Sequence, residues 1–235
     1  MHKKPAYILS TRSLGEEAKN LVAATAIILD EIDFIQVSLL PPSAWLSNFK
    51  EHIPQESLLV ITSQHSVKAL KAYAADLIPE GQYFACVGEQ TKQLIKANFP
   101  NAKILYCTAN ADDLASEIIS ADKTMIIIYC CGNIRRVNLP AMLKHHGLNY
   151  IELIVYKTQL TPHTPNDKYD GILWFSPSAV LSFFSTNTVN TDVVMFAIGD
   201  TTEKALADSC FNKIITATEP NKIKLLQTAI TYFKQ

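Results

Sequence analysis

Short apolar, β-prone runs alternate with segments of helical spacing along the whole chain, and this alternation constrains the fold more than any other feature. Strands are predicted over 6–11, 34–40, 58–62, 83–87, 102–106, 124–130, 150–156, 171–175, 193–198 and 212–217. Helices are predicted over 16–27, 67–77, 90–97, 112–119, 139–145, 179–184, 202–208 and 222–233. In 16–27, Ala18, Leu21, Val22 and Thr25 fall on one stripe, as an amphipathic helix requires. The run at 58–62 is continuously apolar, as expected of a parallel strand covered on both faces. A polar, proline-bearing stretch over 158–170 interrupts the pattern once. Strand-then-helix alternation of this kind predicts an α/β fold of parallel sheets flanked by helices.

The alternation carries an internal repeat. Thr62-Ser63-Gln64-His65-Ser66-Val67 resembles Phe175-Ser176-Pro177-Ser178-Ala179-Val180, each closing a strand and opening a helix. Phe84-Ala85-Cys86-Val87-Gly88-Glu89-Gln90-Thr91 resembles Met195-Phe196-Ala197-Ile198-Gly199-Asp200-Thr201-Thr202 at a similar distance downstream, and Thr108-Ala109 pairs with Thr216-Ala217. Two similar α/β units follow. Ligands of open parallel sheets bind outside the carboxyl ends of the strands, where these motifs fall. Ser63, Ser176, Thr91 and Thr202 lie near helix starts, whose free N–H groups and positive dipole end suit carboxylates or phosphates. Simple helix capping by Ser and Thr is the alternative. Gly88 and Gly199 suit tight strand-to-helix turns. Mirrored motifs predict two domains facing each other across a cleft, with an anionic ligand between them.

Several function classes are excluded. The chain has 235 residues and a net charge of −1, so no basic excess drives nucleic-acid binding. No G-x-G-x-x-G, Walker A or G-x-S-x-G motif is present, which argues against nucleotide-dependent and serine-hydrolase chemistry. The five cysteines contain no C-x-x-C and no histidine pair has zinc-protease spacing, so no metal is expected. The Cys130–Cys131 pair reads as the buried end of a strand. The longest apolar run, 125–131, is far short of the roughly 20 residues of a membrane span. Lys3 and Lys4 precede an apolar stretch that Arg12 interrupts too early for a signal peptide. The odd cysteine count suits a reducing compartment, so a cytoplasmic location is expected.

The ordered motifs resemble the uroporphyrinogen-III synthase family. The resemblance rests on Ile61-Thr62-Ser63…Val67 and Val87-Gly88-x-x-Thr91 in the first half. The middle carries Cys131-Gly132-Asn133-Ile134-Arg135-Arg136…Leu139-Pro140, Leu143…Gly147 and Val155-Tyr156-Lys157-Thr158. The second half carries Phe175-Ser176-Pro177-Ser178 and Ala197-Ile198-Gly199-Asp200-Thr201-Thr202…Ala205-Leu206, where Asp200 stands in place of the family's frequent proline.

The resemblance implies two similar domains, each a parallel sheet flanked by helices, joined by a two-stranded connector. A discontinuous domain of 1–36 plus 160–235 would hold an inserted domain of 41–155, with connectors at 36–40 and 156–161. The sequence agrees, because the second repeat has too few strands unless the N-terminal strand and helix join it. The implied substrate is hydroxymethylbilane, an open-chain tetrapyrrole polycarboxylate. The reaction loses water and closes the ring with inversion of ring D through a spiro intermediate, in haem biosynthesis. The pyrrole nitrogens supply the electron push, so no cofactor is implied. Tyr156 would assist departure of the hydroxyl. Arg12, Thr62, Ser63, Gly88, Thr91, Gly132, Asn133, Ser176, Pro177, Ser178, Gly199, Thr201 and Thr202 would bind substrate. Arg135 and Arg136 would open the helix after Gly132, with one of them facing the cleft or both at the surface, and Lys157 reads as a solvated charge. Trp45, Trp174 and Phe183–Phe184 read as core rather than stacking platforms. A monomer is implied, with a transient handover from hydroxymethylbilane synthase as a further partner and neither nucleic acid nor membrane. The competing reading is a non-catalytic two-lobed binding protein for a small anion. A regulatory fusion partner that has lost activity is a third.

Overall fold

The computed structural model describes residues 4–53, 56–121, 125–166 and 169–234. The chain divides into two compact units, Met1–Gln36 with Gln159–Gln235, and Val37–Thr158. The elements in order are β1 (Ala6–Ser10), α1 (Glu16–Ala23), β2 (Ile27–Glu31), β3 (Ile35–Leu39), α2 (Leu46–His52), β4 (Ser57–Ile61), α3 (Gln64–Tyr73), β5 (Tyr83–Val87) and α4 (Glu89–Asn98). They continue with β6 (Lys103–Thr108), α5 (Ala111–Ser120), β7 (Ile126–Gly132), α6 (Asn138–His145), β8 (Tyr150–Leu160), β9 (Gly171–Trp174), α7 (Pro177–Phe184), β10 (Val194–Ala197), α8 (Asp200–Ala207), β11 (Ile214–Thr216) and α9 (Lys222–Lys234). The strand predicted from Thr124 starts at Ile126. Thr124, and residues 167–168 of the proline-bearing stretch, lie outside the described residues.

One sheet has the order β11-β10-β9-β1-β2, the other β3-β8-β7-β4-β5-β6. Strands β1, β2, β9, β10 and β11 pair in parallel, as do β4 to β8. The central strands β4, β9 and β10 are buried at every position, because helices cover both faces. Edge strand β6 alternates exposed and half-buried residues instead. Strands β3 and β8 carry the chain between the units. Leu40 N donates to Val155 O and Thr161 N to Phe34 O, a pairing whose opposed numbering makes the two strands antiparallel.

The repeat is a duplication with a changed starting point. Read from one edge, the first sheet runs β2-β1-β9-β10-β11 and the second, inside β3, runs β8-β7-β4-β5-β6. The orders match strand for strand once β1-α1-β2 stands where β7-α6-β8 stands. The motif turns therefore follow equivalent strands: β4 and β9, β5 and β10, β6 and β11.

Two elements differ from the sequence expectation. The helix predicted over 16–27 stops at Ala23, and 27–31 forms β2. Thr25 ends it, since both its amide and its hydroxyl donate to the Val22 carbonyl, at 2.9 and 2.7 Å. The β-branched pair Ile27–Ile28 then favours a strand. Helix α2 has no counterpart in the sequence expectation. It is anchored by buried Trp45 and Phe49, whose rings meet edge to face at 5.8 Å.

Trp174 is fully buried and contacts Phe183 at 5.2 Å and Phe184 at 5.8 Å between ring centroids, so these aromatics are core. Replacing Trp174 by Ala lowers the unfolding free energy by about 3–5 kcal/mol. Leu181→Ala, at a largely exposed position, changes it by no more than about 0.5 kcal/mol. Urea denaturation of the two variants checks both values.

Candidate functional site

In each unit the chain leaves two adjacent strands in opposite directions along the sheet, and the crevice at such a point is where open α/β sheets bind ligands. In the Val37–Thr158 unit these strands are β4 and β7, followed by Thr62-Ser63 and Asn133. In the other unit they are β1 and β9, followed by Thr11-Arg12-Ser13 and Phe175-Ser176. The expected site residues thus form groups. Thr62, Ser63, Gly132, Asn133 and Tyr156 share one strand end, and Arg12, Ser176, Pro177 and Ser178 share another. Gly88 with Thr91, and Gly199 with Thr201 and Thr202, occupy the neighbouring turns.

Tyr156 organises the first group. It pairs with Gly132 in the β7–β8 ladder, after a register shift at Cys131/Gly132. Its ring lies directly on the Gly132 backbone. A Cβ there would come within 2.5 Å of the ring's Cε2 and Cζ and 2.9 Å of its hydroxyl, closer than any side chain permits. The His65 ring lies 5.3 Å from the Tyr156 ring. Burial raises the Tyr156 pKa above the ordinary tyrosine value, while the nearby Ser63 hydroxyl pulls the other way and Cys131 pushes further up. The phenol is therefore protonated at neutral pH.

Neighbouring contacts hold this arrangement. Thr62 Oγ1 lies 3.3 Å from the Tyr129 hydroxyl, whose pKa burial pushes up to about 12. Ser66 Oγ donates to the Cys130 carbonyl at 2.7 Å. Asn133 spends its amide on strand β8: Nδ2 donates to Thr158 O at 3.1 Å, and Oδ1 accepts from Thr158 N at 2.7 Å. This double bond to the backbone fixes the strand two residues beyond Tyr156.

The turns differ in detail. Ser63 accepts from His65 N and Ser176 from Ala179 N, each at 3.2 Å, so both are working N-caps. Thr91 and Thr202 are buried, and their amides close onto Gly88 O and Gly199 O at 3.1 and 2.9 Å. Thr201 and Pro177 are exposed or half-exposed at the helix starts, and Ser178 lies beside them on α7. Gly88 has φ 83 and needs glycine, whereas Gly199 has φ 174, extended backbone open to any residue. The glycine argument therefore holds for Gly88 alone. Glu89 and Asp200 each occupy the first position of their helix, where a carboxylate meets the positive dipole end.

Arg12 is exposed, with its guanidinium 5.7 Å from the centre of the Phe175 ring. Next to it, Ser13 N donates to Asp33 Oδ1 at 2.9 Å and Leu14 N to Glu31 Oε1 at 2.8 Å, so the chain's own carboxylates take these amides. Arg135 and Arg136 do not open a helix, because α6 begins at Asn138. Arg135 pairs with Glu152 of β8, while Arg136 and Lys157 are exposed. A groove of about 440 Å³ opens on Asn133, Glu152, Lys157, Leu40 and Trp45. Tyr129, Glu152 and His65 are site neighbours that the sequence reading does not single out. The one available signal is Tyr129, a lone hydroxyl inside the apolar run of β7. Among the described residues no three His, Cys, Asp or Glu side chains gather as a metal site, and no helix is long and apolar enough to cross a membrane.

The sequence profile of a family described as "Uroporphyrinogen-III synthase HemD" matches residues 20–227. No curated protein matches the chain by sequence. The structure resembles uroporphyrinogen-III synthetase from Helicobacter pylori, with TM-score 0.64 and 14% identity over 97% of this chain and 99% of that one. A mutant uroporphyrinogen III synthase from the extremely thermophilic bacterium Thermus thermophilus gives TM-score 0.74 and 14% identity over 98% and 100%. The wild-type enzyme from that organism, in another crystal form, gives 0.61 and 15% over 97% and 98%.

Two outcomes are expected. In spectrophotometric titration, Gly132→Ala moves one tyrosine from above the ordinary range down toward about 10, because the added methyl expels the Tyr156 ring into water. The shift is absent in the Tyr156→Phe background. Stability is full below about pH 9 and falls as pH rises toward 12. The fold holds protons on Cys86, Cys131 and Tyr129, each pushed up to about 12, that the unfolded chain has already released. A lower urea midpoint at about pH 10.5 than at about pH 7 checks the sign.

Proposed function

The chain belongs to the uroporphyrinogen-III synthase HemD family, and from that premise we propose that Tyr156 is its proton donor and that the paired turns receive the substrate's carboxylates. It is an enzyme of haem biosynthesis, a cyclising lyase that acts on a tetrapyrrole, closing hydroxymethylbilane to uroporphyrinogen III with loss of water and inversion of ring D. The neutral phenol of Tyr156 gives its proton to the hydroxymethyl oxygen as the C–O bond breaks, and water leaves. The pyrrole nitrogen's electron pair fills the vacancy and yields an azafulvenium cation, its N–H retained and its charge balanced by the phenolate. The substituted carbon of ring D attacks it to form a spiro pyrrolenine, which fragments and recombines at the free position. Loss of the ring proton then returns a proton to the phenolate.

Closure without rearrangement is available to the free bilane, so the protein's task is orientation. Helix starts after Ser63, Gly88, Ser176 and Gly199 offer backbone N–H groups to carboxylates. Arg12, exposed and lying over Phe175, adds a guanidinium suited to bidentate carboxylate binding. Thr62, Thr91, Thr201, Thr202, Pro177 and Ser178 shape these turns, while Gly132 and Asn133 serve by placing Tyr156. We assign the chain to the cytoplasm as a monomer, with handover of the unstable bilane from hydroxymethylbilane synthase. The observation that carries the assignment of the donor is the Tyr156 phenol, seated over Gly132 at the strand ends and kept neutral by burial.

Incubation of the purified chain with fresh hydroxymethylbilane, oxidation and separation of isomers yields predominantly isomer III. Isomer I alone would overturn the assignment. Tyr156→Phe lowers kcat by about tenfold or more without loss of folding, and an unchanged kcat would remove Tyr156 from the reaction.

A further inference from the structure

Strands β5 and β6 bring two free cysteines together. Cys86 pairs with Cys107 in the parallel ladder. The pairing depends on a register shift at Phe84/Ala85, where Phe84 faces Ile104 but Ala85 faces Tyr106. Without that skipped residue Cys86 would oppose Tyr106, since a one-residue slip changes every partner. Cys86 packs in the same buried cluster as Ile95 of α4, and the ladder sets Cys107 beside it. Adjacent strands stand about 4.8 Å apart, within the Cα separation that a disulfide spans. Cys86 is fully buried and Cys107 exposed, so an oxidant meets one thiol and the other waits beside it.

We propose that Cys86 and Cys107 form a redox modification site, at which a peroxide converts the two thiols into a disulfide stapling β5 to β6 just before the Gly88 turn. The Cys107 thiolate attacks the peroxide, the O–O bond breaks, and Cys107 becomes a sulfenic acid as water leaves. Cys86 sulfur then attacks Cys107 sulfur, the S–O bond breaks and a second water leaves. Two thiols have lost two electrons and two protons, and the peroxide has been reduced to water. Burial pushes the Cys86 thiol up to about 12, so closure is the slow step and accelerates as pH rises. The next rung, Gly88 N to Thr108 O at 2.8 Å, ties the staple to the turn.

The test is mass spectrometry of the full chain treated with hydrogen peroxide, alkylated and digested. The expected result is a loss of about 2 Da, a cross-linked peptide pair containing Cys86 and Cys107, and recovery on adding dithiothreitol. Cys107→Ser removes the cross-link, and its exposed position keeps the fold intact. Trapped Cys107 sulfenic acid in Cys86→Ala, without the 2 Da loss, gives the order of events. Three results overturn the proposal: Cys107 carried to sulfinic acid while Cys86 stays alkylatable after unfolding, a Cys130–Cys131 link in place of the pair, or Cys107 joined to a second chain.

Discussion

The absence of a side chain at Gly132 is the constraint on which the site depends. Any Cβ there would stand inside the Tyr156 ring, so the residue that ends β7 determines whether the phenol of β8 can lie over the strand ends at all. That placement buries the ring, and burial keeps the phenol protonated. The Asn133–Thr158 double hydrogen bond fixes the strand on the far side of the tyrosine. A packing detail and a proton affinity are thus consequences of one missing methyl group.

The second unit repeats the scaffold without repeating this chemistry. Its β1-α1-β2 segment takes the place of β7-α6-β8, but β2 ends at Glu31, which with Asp33 accepts the amides of Leu14 and Ser13. Where one unit presents a neutral phenol, the other presents satisfied carboxylates and an exposed arginine. Under the proposed function, equivalent positions in the sheets do different work: one end donates a proton and the other holds an anion.

Much of the scaffold is legible in the sequence because local patterns determine it. The apolar runs of β4, β9 and β10, the caps Ser63 and Ser176, and the left-handed Gly88 turn all follow from residues within a few positions of one another. Strand β2 is hidden because the apolar stripe of α1 continues into Ile27, and only the Thr25 contacts with Val22 show where the helix must stop. Helix α2 is too short for periodicity to reveal. Among the site residues, Tyr156 can be placed at a strand end, but its contact with Gly132 spans two strands and a helix. Asn133 is legible as a turn residue, but its two hydrogen bonds to the Thr158 backbone are not. Arg135 reads as a helix opener, whereas its charge is matched by Glu152 across the same ladder. These are non-local facts that no single-sequence period encodes.

The central claim is that a positioned neutral phenol assists departure of the hydroxyl while the fold orients the chain for closure. Leaving-group dependence separates the two roles. Bilanes whose terminal hydroxyl is replaced by groups that depart without a proton would be compared in the native chain and in Tyr156→Phe, reading kcat and isomer ratio together. The account predicts that the Phe penalty of about tenfold or more disappears with the good leaving groups, while isomer III remains the product. An equal penalty for every leaving group, or loss of isomer III in the variant, would contradict it.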